Sequence, residues 1–122
     1  MKHSIVLLFI VLNQFSNPIY GQRPVYTEDE IIVQTVTNEV DLLFKSKDFL
    51  QKKEKKYNDI TGSMIVDIGV IHSGKVSTFY NVESTITNID FINFMSDYIL
   101  KHKFKFKLPK KSRHKIRYTI TF

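Results

Sequence analysis

Apolar and polar residues alternate strictly over three stretches in the second half of the chain. This period of two predicts β-strands over Met64–Ile71, Val76–Val82 and Lys115–Phe122. The connecting turn His72–Lys75 contains a glycine, so the first two strands are expected to form a hairpin. Within the first strand, Gly69 predicts a bulge or a close approach of another group. The alternation places these residues together on one face of their strand: Met64, Val66, Ile68 and Val70; Val76, Thr78, Tyr80 and Val82; Ile116, Tyr118, Ile120 and Phe122.

Apolar residues recurring at intervals of three and four predict two helices. The first spans about Glu28–Phe49 with Thr27 as its N-cap, and the second begins after the N-cap Asn88. The charged stretch Lys45–Lys56 is interpreted as a solvated helix end or a linker. The order helix, strand, strand, helix, strand predicts an α+β fold in which a three-stranded antiparallel sheet packs against two helices.

The first residues have the composition of a secretory signal peptide. Lys2 and His3 precede the apolar run Ile5–Leu12, and polar residues with Pro18 separate that run from Gly21. The run is much shorter than the ~20 apolar residues that span a bilayer. We therefore expect residues 1–21 to be a signal peptide that is cleaved near Gly21, and the protein to be exported. Residues 22–122 are expected to form a single domain, with an N-terminal helical segment over 22–61 and a core over 62–122.

The amino-acid composition limits the kinds of domain and site that the chain can form. A chain of 122 residues with 43% hydrophobic residues is long and apolar enough for one folded domain. The absence of cysteine excludes disulfides, thiolate metal sites and cysteine nucleophiles. The net charge of +6 is uneven, because residues 98–122 contain nine basic residues and no acidic one. Seven of them form a candidate basic patch: Lys101, Lys103, Lys105, Lys107, Lys110, Lys111 and Arg113.

Residues suited to catalysis are few. The four histidines show no metal-ligand spacing, and no phosphate-binding glycine loop occurs. Asp67, His72 and Ser73 contain the side chains of a hydrolytic triad, but they flank a hairpin turn without a nucleophile elbow. We therefore predict that the protein is not an enzyme, that it has no catalytic residues, no cofactor and no metal, and that it has no small-molecule substrate.

The run from Gly62 to Val76, G-S-M-I-V-D-I-G-V-I-H-S-G-K-V, resembles the TonB C-terminal domain and its TolA-type and gliding-motility-type relatives. Gly62 and Gly74 match the two glycines of that pattern, and Val76 matches its valine. Ser84 matches the serine that ends the second strand. Matches to the second helix, the exit from it and the closing strand complete a resemblance over Gly62–Phe122: Phe91, Phe104, Phe106, Tyr118 and Phe122. The transmembrane anchor and Pro-rich linker of TonB-type energy transducers have no counterpart in the resemblance.

The resemblance implies a location in the periplasm of a Gram-negative bacterium and a role as an interaction domain that assists energy-coupled transport. TonB-type domains bind a short extended segment of outer-membrane receptors beside their closing strand. The expected partner is therefore a receptor-like protein of the cell envelope, bound by strand addition at a sheet edge. The residues expected to face this partner are Lys115, Arg117, Thr119 and Thr121.

Three alternatives stay open at this point. Lys115 and Arg117 are also the residue types that protect an edge strand from aggregation. The edge could pair with a second copy of the chain and give a homodimer. Residues 101–117 could instead form a polyanion-binding module for lipopolysaccharide, anionic lipid or nucleic acid, although export makes nucleic acid the least accessible of these ligands.

Overall fold

The computed structural model describes residues 22–122, and the predicted signal peptide over residues 1–21 lies outside the described residues. The described part contains three helices and three strands. In chain order they are α1 (Asp29–Phe44), α2 (Lys47–Tyr57), β1 (Ser63–Ile71), β2 (Val76–Ser84), α3 (Ile89–Leu100) and β3 (Arg113–Thr121).

The three strands form one antiparallel sheet with β1 at its centre and β2 and β3 on either side. The pairing of β1 with β3 is continuous, from Ser63 opposite Thr121 to Ile71 opposite Arg113, with no shift of register. The predicted α+β class and the three-stranded antiparallel sheet are confirmed.

The single first helix predicted over Glu28–Phe49 is wrong, because two helices occupy this part of the chain. The break lies at Ser46, whose hydroxyl donates to the Leu43 carbonyl at 2.7 Å and accepts the N–H of Phe49 at 3.2 Å. One side chain therefore satisfies backbone groups at the end of α1 and at the start of α2. The charged stretch that follows forms most of α2.

The predicted N-caps have different outcomes. Asn88 caps α3 as expected, because its Oδ1 accepts the N–H of Phe91 at 3.0 Å. Thr27 is not the cap of α1. That position belongs to Glu28, whose side chain makes no capping hydrogen bond and whose carbonyl accepts the N–H of Ile32.

Strand β2 departs from strict alternation at two places. Its register against β1 shifts opposite Ile65–Val66 and again opposite Gly69–Val70, so an irregularity does lie at Gly69 as predicted, but the extra residue belongs to β2. Each bulge places one extra residue in β2 and turns the residues beyond it to the other face. Val76 is consequently buried, whereas Tyr80 is 66% exposed. The common face predicted for these residues of β2 was therefore wrong: Val76, Thr78, Tyr80 and Val82.

Helices α1 and α3 cover one face of the sheet. Along β1, buried and half-buried residues alternate over the whole strand, as the sequence pattern predicts. The core is made of these buried side chains: Ile32, Val36, Val40, Phe44, Phe49, Tyr57, Met64, Val66, Ile68, Val70, Val76, Ile86, Phe91, Met95, Ile99, Phe104, Phe106, Leu108, Ile116, Tyr118 and Ile120.

Phe49 of α2 joins the helical layer to the end of the sheet. Its ring centroid lies 5.0 Å from those of Phe44 and Tyr98, 5.5 Å from that of Phe94 and 6.2 Å from that of Phe122. Stacked and edge-to-face aromatic pairs of this kind add to the stabilisation from burial alone. The short helix α2 is therefore held to the domain by two buried aromatic side chains, Phe49 near its start and Tyr57 at its end, whose ring lies 5.2 Å from those of Phe91 and Phe94.

The N-terminal lead is fastened to the hairpin turn. The Arg23 guanidinium donates to the carbonyls of Ser73 at 2.8 Å and Phe104 at 3.0 Å. Gly74, with φ +88°, lies beneath this guanidinium, and its carbonyl accepts the N–H of Phe104 at 2.8 Å. The turn, the exit from α3 and the N-terminal lead thus meet at one junction.

The residues that carry the family resemblance occupy structural positions. Gly62 and Phe122 exchange two backbone hydrogen bonds, of 3.2 and 2.8 Å. The Ser84 hydroxyl accepts the N–H of Ile86 at 2.9 Å and so closes the turn after β2. The others are buried in the core: Val76, Phe91, Phe104, Phe106 and Tyr118.

Candidate peptide-docking edge

Strand β3 lies at an edge of the sheet and pairs only with β1. The two mutual hydrogen bonds between Gly62 and Phe122 set the phase of this ladder. Because hydrogen-bonded and non-hydrogen-bonded pairs alternate in antiparallel strands, every second residue of β3 directs its N–H and C=O away from β1. These residues are Lys115, Arg117, Thr119 and Thr121, whose side chains are all exposed.

The other edge of the sheet, β2, is less suited to the addition of a further strand. Its two bulges interrupt the ladder and add local twist, and both features discourage the pairing of a further strand. The β3 ladder has no bulge. The two edges are thus unequal, and the continuous one is the edge predicted from the sequence.

Helix α1 runs alongside β3 in the same direction. Asp29 Oδ1 lies 2.9 Å from Nε2 of His114 near the start of the strand, and Asp41 accepts the hydroxyl hydrogen of Tyr118 further along. Residues four apart share a face of a helix, so Val33, which is 43% exposed, lies on the same side of α1. An apolar and acidic stripe of α1 therefore faces the strand edge.

A groove of about 230 Å³ lies where this stripe meets the second half of β3. One wall is formed by the C-terminal end of α1 and the first turn of α2, with Phe44, Lys45 and the half-exposed Leu50. The other wall is the strand itself, from Tyr118 to Phe122. A strand added to β3 would place every second side chain on this apolar wall and the others beside the exposed face of the sheet.

The exposed face of the sheet beside β3 carries basic side chains, and one of them is neutralised by a carboxylate. Arg117 donates two hydrogen bonds, of 2.9 and 3.1 Å, to the Asp67 carboxylate of β1. This hydrogen bonding holds the pKa of Asp67 below its ordinary value, and the charge of Lys115 acts in the same direction. On the covered face, burial and the hydrogen bond to Asp41 raise the pKa of the Tyr118 hydroxyl. Arg117 is therefore already paired with Asp67 of the sheet, whereas Lys115 forms no ion pair within residues 22–122.

The candidate basic patch runs from the end of α3 to the start of β3. Six of its members are exposed and Lys107 is half-buried: Lys101, Lys103, Lys105, Lys110, Lys111 and Arg113. Lys75 of the hairpin turn joins them through a bridge to Lys103. The interleaved Phe104 and Phe106 are 1% and 0% exposed and cannot stack on bases. The patch thus offers charge without the aromatic surface that single-stranded nucleic acid requires.

Within residues 22–122, no group of three His, Asp or Glu side chains is placed to hold a metal ion. Of the Asp67, His72 and Ser73 combination considered from the sequence, the Asp67 carboxylate accepts two hydrogen bonds from Arg117. Over the same residues, no helix has both the length and the hydropathy needed to cross a membrane.

The contribution of α1 and α2 to the edge was missed from the sequence. No role at the strand edge was predicted for Val33, Asp41 or Leu50. The contact of Asp41 with Tyr118 joins residues 77 apart in the sequence, so no local pattern signals it.

Comparison of the chain with protein-family models, with curated proteins and with solved structures gives no match. The resemblance to the TonB C-terminal domain therefore stays a prediction.

Proposed function

We propose that this protein is an exported interaction domain that binds an extended segment of a cell-envelope protein by strand addition to β3. The observation that carries the proposal is the unbroken β1–β3 register, which leaves the N–H and C=O groups of alternate β3 residues directed outward. Backbone hydrogen bonds to these groups supply affinity, and the groove beside α1 selects side chains.

The chemistry of the edge indicates the sequence of the bound segment. Positions on the covered side would meet Phe44 and Leu50 of the groove, which favours small or branched apolar residues. Positions on the exposed side would lie beside Lys115, Thr119 and Thr121, which favours acidic or hydroxyl residues. An alternating apolar and acidic segment is therefore the proposed ligand, as part of an outer-membrane receptor or another envelope protein.

A proline at Thr119 tests strand addition directly. The N–H of Thr119 points away from β1, so Thr119→Pro removes a donor for the incoming strand and leaves the β1–β3 ladder intact. Thr119→Val keeps that N–H and serves as the matched control. We expect Thr119→Pro to lower partner binding roughly 5- to 150-fold, because one backbone hydrogen bond is lost and a buried carbonyl of the partner is left unsatisfied, at ~1–3 kcal/mol.

The measurement is crosslinking capture from envelope extracts with both variants, followed by amide hydrogen exchange on the complex. Strand addition requires the amides of Lys115, Arg117, Thr119 and Thr121 to gain protection on binding. If Thr119→Pro and Thr119→Val capture the same protein equally well, the proposal is wrong. A mass that doubles with concentration and falls with Thr119→Pro would identify a second copy of the chain as the occupant.

The polyanion alternative predicts a different response. Its affinity would fall steeply with added salt and with neutralisation of Lys105, Lys107, Lys110 and Lys111, whereas strand addition depends weakly on both. The salt dependence of capture therefore separates the two functions. If neither variant nor salt changes capture, the basic residues are edge protection.

A further inference from the structure

The exposed face of the sheet contains a small depression at Gly69 of β1, separate from the groove beside α1. Its volume is about 170 Å³, the space of about five or six water molecules at ~30 Å³ each. Gly69 forms the floor because it has no side chain, and a Cβ added there would overlap the Thr78 hydroxyl. The β2 bulge lies at the same place and directs an additional residue, Ser77, towards the depression.

Four hydrogen-bond donors from both edge strands surround this floor. Arg113 and Lys115 come from β3, and Ser77 and Thr78 come from β2. Neither cation has a carboxylate partner among residues 22–122. The Ser77 hydroxyl makes only a long hydrogen bond, of 3.3 Å, to the Gly69 carbonyl. Arg113, Lys115 and Thr78 belong to three separate groups in the sequence analysis, and the sheet brings them together with Ser77.

One carboxylate lies near the depression, and its charge is compensated. Asp67 is two residues from Gly69 on the same face, but Arg117 donates to both of its oxygens, at 2.9 and 3.1 Å. His114, which also borders the depression, directs its Nε2 to Asp29, 2.9 Å away. The cations of Arg113 and Lys115 therefore remain in excess over the nearby negative charge.

We propose that this depression binds a phosphate-type oxyanion between Arg113 and Lys115, with hydroxyl contacts from Thr78 and Ser77. A phosphoryl group offers several acceptor oxygens to several donors at once, and the planar fork of arginine suits two of them. The shared chemistry is that of inorganic phosphate and of the headgroup of an anionic phospholipid. The site shares Lys115 with the proposed docking edge, but it does not rest on the strand-addition proposal, because the ligand lies over Gly69 on the exposed face and uses no outward backbone group of β3.

The first test is a titration with inorganic phosphate at constant ionic strength, followed by amide chemical shifts. We expect saturable shifts at Gly69, Thr78 and Lys115. The double substitution Arg113→Gln/Lys115→Gln should weaken binding more than tenfold, and Thr78→Val, which preserves side-chain shape on an exposed strand, about threefold to tenfold. Lys110→Gln/Lys111→Gln removes the same charge outside the depression and should leave binding within about twofold.

A second arm identifies the source of the phosphoryl group. Cosedimentation with phosphatidylcholine vesicles containing phosphatidic acid, lost in Arg113→Gln/Lys115→Gln, assigns the site to a lipid headgroup. Saturable binding of inorganic phosphate without vesicle binding assigns it to free phosphate. The proposal is overturned if both ligands fail to bind, if acetate competes equally well, or if the Lys110 and Lys111 control weakens binding as much as the double substitution.

Discussion

Gly74→Ala is expected to destabilise the domain severely, because the hairpin turn meets the exit from α3 at this residue. An added Cβ would overlap the backbone carbonyl oxygen of Phe106 and lie 2.7 Å from Nη1 of Arg23. The side chain of Arg23 can move, but the carbonyl belongs to a loop that continues into the buried Phe106 ring. The turn and the exit loop would therefore have to separate.

The magnitude follows from two costs. A residue with a Cβ at φ +88° loses roughly 1–2 kcal/mol relative to glycine. Separation of the junction also breaks the hydrogen bond of the Arg23 guanidinium to the Phe104 carbonyl if the guanidinium stays on the Ser73 carbonyl, and one bond to a charged group contributes ~1.5–3 kcal/mol. We expect a total loss of about 3–5 kcal/mol and a fall in Tm of roughly 15–25 °C for a domain of this size.

Urea and thermal denaturation followed by circular dichroism measure this loss. Gly74→Asn is the control, because asparagine tolerates positive φ yet adds the same Cβ. If overlap with the Phe106 carbonyl dominates, Gly74→Asn remains at least 2 kcal/mol below wild type. Arg23→Ala combined with Gly74→Ala should cost less than the sum of the two, since both lose the hydrogen bond of Arg23 to the Phe104 carbonyl. A Gly74→Ala protein within about 1 kcal/mol of wild type would refute the reasoning.

Three further predictions concern other parts of the domain. Lys111 has φ +66°, so Lys111→Gly should raise the free energy of unfolding by roughly 0.5–1 kcal/mol, whereas Lys111→Ala should not raise it. Urea denaturation measures both. Phe49→Ala should lower the free energy of unfolding by ~3–5 kcal/mol in the same measurement and weaken the near-ultraviolet circular dichroism of the aromatic cluster. Leu50 is half-exposed, so Leu50→Ala should lower the free energy of unfolding by less than about 1 kcal/mol. Because the pKa of Asp67 is lowered in the folded state, its contribution to stability is complete above its unfolded value of about 3.9 and is lost as pH falls further. Arg117→Gln should therefore flatten the dependence of stability on pH in acid, and an unchanged slope would contradict the pairing.

The strands were predictable because each alternates over its whole length, and β1 and β3 keep that alternation in the sheet. The bulges of β2 were only half predictable. Gly69 signals a local irregularity, but the extra residue lies on the partner strand, whose own sequence is an ordinary alternating run. Side-chain pattern alone therefore assigned Val76 and Tyr80 to the same face, and the pairing with β1 separates them.

The helix break and the docking groove show two further limits. Ser46 is a recognisable N-cap, but the apolar residues on both sides continue at helical intervals and conceal the break. The edge position of β3 was predicted from its place as the last strand. The position of α1 beside β3 was not predictable. It depends on the contacts of Asp29 with His114 and of Asp41 with Tyr118, which join residues 85 and 77 apart in the sequence and leave no local pattern.

The central position of β1 has a consequence for the order of folding. β1 and β2 are joined by a short turn, whereas partners in β1 and β3 such as Asp67 and Arg117 are 50 residues apart. Closing a loop about ten times longer costs ~2 kcal/mol more chain entropy, so the hairpin is expected to form before β3 docks. The strand that we propose as the docking edge is therefore expected to join the sheet last and to leave it first in partial unfolding. Binding at this edge would stabilise the whole domain by trapping its final folding step.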